Sequence, residues 1–197
     1  MINFLFIHIP KCGGTSIVSA TGYQHPHYPD KQQEHVGIAH YTEEIMRQAT
    51  YTFSVVRNPL DRLVSWFFYH QGEELYLPGT PPVVNVYDSY TCFTDWFDDG
   101  APTHWGHSPW RMLDWLTDNS GDVNLDDVFL LSDVISPDSP QWERIKIRTG
   151  TNMSEELPHA MRSEHKPYLE YYTPERKQKA MDMCSDDIAH FKFPGLY

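Results

Sequence analysis

Apolar residues open the chain in a nearly unbroken run from Met1 to Ile9, interrupted only by Asn3 and His8. A run this short and this rich in β-formers, without polar alternation, predicts a strand covered on both faces, as in a parallel sheet. Pro10 ends it. Gly13-Gly14 predict a tight turn, and Thr15 to Thr21 a short helix closed by Gly22. Tyr51 to Val56 alternates β-branched and aromatic residues and predicts a second buried strand, which runs into Arg57-Asn58-Pro59. There Asn58 is a suitable cap, Pro59 takes the first helical position, and Asp61 stands at the third. In the helix that follows, Leu60, Leu63, Val64, Phe67 and Phe68 recur at helical spacing, and Ser65 falls well off that stripe.

Elsewhere the signals are weaker. Tyr23 to Asp30 reads as a loop, and Tyr41 to Gln48 as a helix capped by Thr42 with Glu43 and Glu44 in its first turn. Residues 71 to 107 form an irregular insertion that begins with a stretch rich in Pro and Gly. Aromatic helices are predicted over Tyr87 to Asp98 and Pro109 to Thr117, a third strand over Val128 to Leu131, and a helix over Gln141 to Thr149. Thr173-Pro174-Glu175 opens a long C-terminal helix reaching Phe191. Strands alternating with helices predict an α/β fold, an open and mainly parallel sheet flanked by helices, in one domain over residues 1–197.

Composition narrows the function. The chain has 15 Lys and Arg against 27 Asp and Glu, a net charge of −12, so its average field repels nucleic acid, anionic lipid and polyanionic sugars. Cys12, Cys92 and Cys184 are too few and too scattered for a disulfide framework or a zinc set, which points to a reducing compartment. No segment approaches the roughly 20 apolar residues of a membrane span, and the opening run lacks a cleavable leader's pattern, so the expected location is cytoplasmic.

Against so acidic a background, a cation beside glycines carries information. Lys11-Cys12-Gly13-Gly14-Thr15-Ser16 follows a predicted strand and opens a helix. Paired glycines let successive amide N–H groups converge on an anion, the helix terminus adds partial positive charge, and Lys11, Thr15 and Ser16 supply a full charge and hydroxyl donors. The Lys precedes the glycines, so this is not a Walker A sequence. Val56-Arg57-Asn58-Pro59 puts a guanidinium where a strand end meets a helix start, the usual ligand crevice of an open α/β sheet.

Together these two segments resemble the sulfotransferases that use 3′-phosphoadenosine 5′-phosphosulfate (PAPS), in particular the carbohydrate-sulfotransferase-like branch. In that family a P-K-x-G-G-T-S turn binds the 5′-phosphosulfate, and a V-R-[ND]-P-x-x-R-x-x-S segment binds the 3′-phosphate. The spacing of the latter is that of Arg57 and Ser65. The resemblance extends to Leu157 through Ser163 and to the C-terminal segment, with one departure: Met161 stands where the family usually has Asn. It implies a P-loop-like architecture and transfer of a sulfuryl group from PAPS to an acceptor hydroxyl, with release of the bisphosphate PAP and no metal. It assigns cofactor binding to Lys11, Cys12, Gly13, Gly14, Thr15, Ser16, Arg57 and Ser65, and, in a late loop, to Arg162 and Ser163.

A general base is then needed at the acceptor. His40, where the resemblance puts a His, is the first candidate, His35 the second, and Glu43 or Glu44 the third. His104, Trp105 and His107 are candidates for lining the acceptor pocket. The charge favours a neutral or weakly charged glycan, lipid or small metabolite as acceptor. Two other readings share the same features: a nucleotide or small-molecule kinase, which would need Mg²⁺ ligands and a Walker Lys, and a PAP-binding module without catalysis.

Overall fold

The structure is a computed structural model that describes residues 3–26, 35–71, 86–103, 110–151, 157 and 165–196. In chain order its regular elements are β1 (Leu5–Ile7), α1 (Gly14–Thr21), α2 (Glu43–Gln48), β2 (Thr52–Val56), α3 (Pro59–His70), α4 (Phe93–Asp98), α5 (Leu113–Leu116), β3 (Asp127–Leu130), α6 (Leu131–Val134), α7 (Pro140–Thr149), α8 (Pro174–Met183) and α9 (Ser185–Phe191). Single 3₁₀ turns lie at Ile38–His40, Val86–Ser89 and Tyr168–Tyr171. The chain divides into two compact units, one taking the described residues of Met1–Asn58, Met112–Arg162 and Phe193–Tyr197, the other those of Pro59–Arg111 and Ser163–Lys192.

The first unit is the α/β part. Its three strands are parallel in the order β1-β2-β3, with Ile7 opposite Ser54 and Ser54 opposite Val128. Every residue of β1 and β2 is buried, the polar Thr52 and Ser54 of β2 included. Polar residues in so dry a sheet need partners. The Ser54 hydroxyl donates to the Ile7 carbonyl at 2.7 Å, and the Thr52 amide and hydroxyl both donate to Asp126 at 2.7 and 2.8 Å, which fixes where β3 enters. Stacked rings of Phe6, Phe53 and Tyr51 line one face of the sheet, at centroid separations of 5.0 and 5.2 Å. Strand β1 is shorter than the apolar run predicts: Phe4 and Ile9 are buried, yet only Leu5–Ile7 pair with β2. Helix α2 begins on its predicted cap Thr42, and α7, predicted from Gln141, begins at Pro140 on Ser139; each hydroxyl accepts from the amide three residues on.

The second unit is helical, with an aromatic core of Trp66, Phe67, Tyr87, Phe93, Trp96, Phe97 and Trp110. Helix α3 is buried nearly all round: beyond its apolar stripe, Arg62, Ser65 and Trp66 are also inside. Arg62 is kept there by a bond from its guanidinium to the Trp110 carbonyl at 2.9 Å. Ser65, expected off the core stripe, is therefore a core-facing residue of a helix packed by α4, α8 and the turn at Tyr168–Tyr171.

Two predicted helices are broken. Tyr87 to Asp98 splits into the 3₁₀ turn and α4, where the Thr91 hydroxyl bonds to Asp95 and restarts the helix. The C-terminal helix stops at Cys184, and Ser185, Asp186 and Asp187, residues suited to a helix start, open α9. The helix predicted over Pro109 to Thr117 is reduced to the four residues of α5. Among the described residues no helix is long and apolar enough to cross a membrane.

Candidate functional site

Strand β1 delivers the chain into the glycine turn. Lys11 takes a left-handed conformation, φ 62°, and so does Gly13, φ 78°. For Gly13 this is free of steric cost, but Lys11 holds a conformation that L-residues avoid by roughly 1–2 kcal/mol. A side chain at Gly13 would also meet Leu131, whose Cδ1 lies 2.6 Å from where a Cβ would stand. At Gly14 the obstacle is the ring of His8, 1.9 Å from such a Cβ. Both glycines are thus required, the first for its torsion and its clearance, the second for clearance alone.

The turn opens α1, whose N-terminus has no side-chain cap and no acid in its first turn. Every other α-helix among the described residues carries Asp or Glu there. In a chain of charge −12 this helix start keeps a partial positive charge that acids offset at the others.

Arg57 follows β2, and because β1 and β2 are parallel neighbours, both motifs emerge at the carboxyl end of the sheet. Its Nη1 donates to the Lys11 carbonyl at 3.2 Å. The two segments read from the sequence as anion sites therefore meet. Cys12 is buried with its thiol 3.7 Å from the Met112 sulfur, Thr15 is half-buried, and Ser16 is buried. Ser65 belongs to the helical unit. Arg162, Ser163, His104, Trp105 and His107 lie outside the described residues.

Of the two histidine candidates, His40 is exposed at the end of the 3₁₀ turn. His35 is half-buried, its Nδ1 3.0 Å from the His8 carbonyl and its ring set edge-on to those of His8 and Trp115 at 4.3 and 6.3 Å. Trp115 also backs Gly37, where a Cβ would come within 3.4 Å of the Trp115 backbone. The segment is anchored at its far end by Tyr41, whose hydroxyl lies 2.6 Å from Nε2 of the buried His25.

The sequence model of the sulfotransferase family matches residues 2–194. The chain belongs to this family. No curated protein and no solved structure matches it significantly.

In this sulfotransferase the sequence pattern missed His8 and Trp115. An ionisable residue inside an otherwise apolar strand run was the available signal for the first; nothing in the local pattern marks the second. Burial, followed by the neighbouring His35 and His25, holds the His8 imidazole well below its ordinary pKa. It is uncharged in the fold, whereas the unfolded chain protonates it near pH 6.5. A depressed folded pKa means stability that is present above about pH 6.5 and is lost as pH falls below it, with a slope approaching about 1.4 kcal/mol per pH unit for one proton. Thermal melts of the sulfotransferase should therefore steepen downward between pH 6.5 and 5, and His8→Leu should flatten that limb. Exposed Asp98, lowered chiefly by its bond to Arg176, acts only at the carboxylate range below it. A limb unchanged by the substitution would mean that His8 is protonated in the fold.

Proposed function

We propose that this sulfotransferase moves the sulfuryl group of PAPS to a hydroxyl of an acceptor and releases PAP. The observation that carries the reading is the hydrogen bond from Arg57 to the Lys11 carbonyl, which joins a guanidinium fork to the turn before an acid-free helix start at the carboxyl end of the sheet. The fit is chemical as well: left-handed Lys11 and Gly13 curl the turn that opens α1, Gly14 lets it pack closely on His8, and Lys11 puts a cation in it.

When bound, PAPS supplies the sulfuryl group. Lys11, the amides of Gly13 and Gly14 and the Thr15 hydroxyl stabilise the charge that grows on the departing 5′-phosphate oxygen. Cys12 and Ser16 hold the turn's form beneath. Arg57 grips the 3′-phosphate and fixes the register of the nucleotide. Ser65, Arg162 and Ser163 are assigned to the same donor by their places in the family pattern alone. The acceptor's proton goes to His35, whose bond to the end of β1 ties it to the strand that carries the turn; His40 is the alternative. The acceptor oxygen forms the new bond to sulfur as the bond to the 5′-phosphate breaks, so alignment and charge supply most of the catalysis.

The charge of −12 supports a neutral or weakly charged acceptor, a glycan, lipid or small metabolite, with His104, Trp105 and His107 as candidate contacts. Calorimetry is expected to give PAP an affinity at least about tenfold above that of ATP with Mg²⁺. Incubation with [³⁵S]PAPS and a panel of glycosides, sterols and phenols should label at least one hydroxyl compound. Preference for ATP would indicate a kinase, and PAP binding without label on any acceptor, or loss of label to water, a binding module.

A further inference from the structure

His8 follows β1 directly, two residues ahead of Pro10 and the turn, and has no place in the family pattern set out above. Its ring is wedged between the two parts of the site. On one side its Cδ2–Nε2 edge stands where a Gly14 side chain would be, 1.9 and 2.0 Å from a Cβ built there. On the other, its plane meets that of His35 edge-on at 4.3 Å, while Phe6 stacks against it at 5.5 Å. Its carbonyl oxygen lies 3.0 Å from His35 Nδ1. Its own Nδ1 is buried and has no hydrogen-bond partner among the described residues. Leucine would fill a core position here without burying an unsatisfied nitrogen, so packing alone gives no reason for a histidine.

We propose that His8 is a positioning residue that couples the glycine turn to His35. The thin, flat imidazole sets how closely Gly14, and with it the first amides of α1, can approach the strand. A carbonyl only accepts, so His35 must donate from Nδ1, and this fixes the tautomer with the lone pair on Nε2, the nitrogen that can take a proton. Remaining uncharged matters for the same step. When His35 takes the acceptor's proton it becomes a cation, and a second cation 4.3 Å away would oppose it. His8, buried and neutral, does not.

The inference rests on the donor reading above, and the experiment separates the two. Calorimetry with PAP on the unaltered protein tests the donor reading first. His8→Leu, which keeps core volume but not the flat edge, is expected to weaken PAP about tenfold. The ¹⁵N shifts of the His35 ring, read by long-range proton–nitrogen correlation, should report the Nδ1–H tautomer in the unaltered protein and a mixture in His8→Leu, where the residue-8 carbonyl remains but the thicker side chain displaces the strand end from His35. Gly14→Ala should weaken PAP by a larger factor, and His8→Ala combined with Gly14→Ala should recover part of that loss by vacating the space. If His8 only fills the core, His8→Leu leaves PAP affinity and the His35 shifts unchanged and the double variant recovers nothing; that result overturns the proposal. If the unaltered protein binds no PAP, the donor reading fails, and the His35 shifts still decide whether His8 sets the tautomer.

Discussion

Replacing Lys11 with Met is expected to lower turnover with PAPS by a factor of about 10²–10³ while weakening PAP by much less. Met keeps the length and apolar stem of the side chain, so what is lost is the charge. Lys11 is the one Lys or Arg within the turn, in a chain where acids outnumber bases by 27 to 15, so no neighbour along the turn replaces it. Its backbone is committed to this place by a left-handed torsion and by the Arg57 bond to its carbonyl. With its backbone so fixed, the side chain starts from one place, and its interaction strengthens as charge accumulates on the leaving oxygen. The measurement is kcat with [³⁵S]PAPS against the Kd of PAP by calorimetry. Equal losses in both would mean that Lys11 binds the ground state as tightly as the transition state, and its catalytic role would be withdrawn.

The parts of this arrangement that were legible in the sequence share a cause: each is fixed by a local constraint. A glycine pair between an apolar strand and a helix, and an Arg ahead of an Asn-Pro helix start, dictate backbone form within a few residues, and the structure has both. The buried strand β1 follows from a nearly unbroken apolar run, β2 from its β-branched and aromatic residues, α1 from its closing glycine and α2 from its cap. What the sequence left open depends on partners distant in the chain. Ser65 was expected outside the core because an amphipathic helix has one apolar stripe, but α3 is surrounded, and a surrounded helix buries polar residues as well. The break at Cys184 could not be read from propensity, since the residues on both sides are good helix formers or caps. The relation between His8 and His35 is of the same kind. It is a contact across a loop, and only the fold reveals that His35 sits against the strand end while His40 is exposed.

Arg57→Lys carries the second large expected effect, about a hundredfold loss of PAP affinity, although the charge is kept. A guanidinium is a rigid fork: one arm donates to the Lys11 carbonyl, and the fork's fixed geometry is what would let the same group grip a phosphate bidentately. An ammonium is a single point that cannot serve the carbonyl and a phosphate with the same geometry. Comparing PAP with adenosine 5′-monophosphate isolates what the residue does, because the two differ by the 3′-phosphate. If Arg57 holds that group, the unaltered sulfotransferase prefers PAP and Arg57→Lys brings the two affinities together. If the substitution weakens both ligands by the same factor, Arg57 acts on the turn through the Lys11 carbonyl, and the 3′-phosphate is held by other residues. The bond between the two motifs makes both roles physically available to one side chain, which is why the ratio of affinities, and not either affinity alone, decides between them.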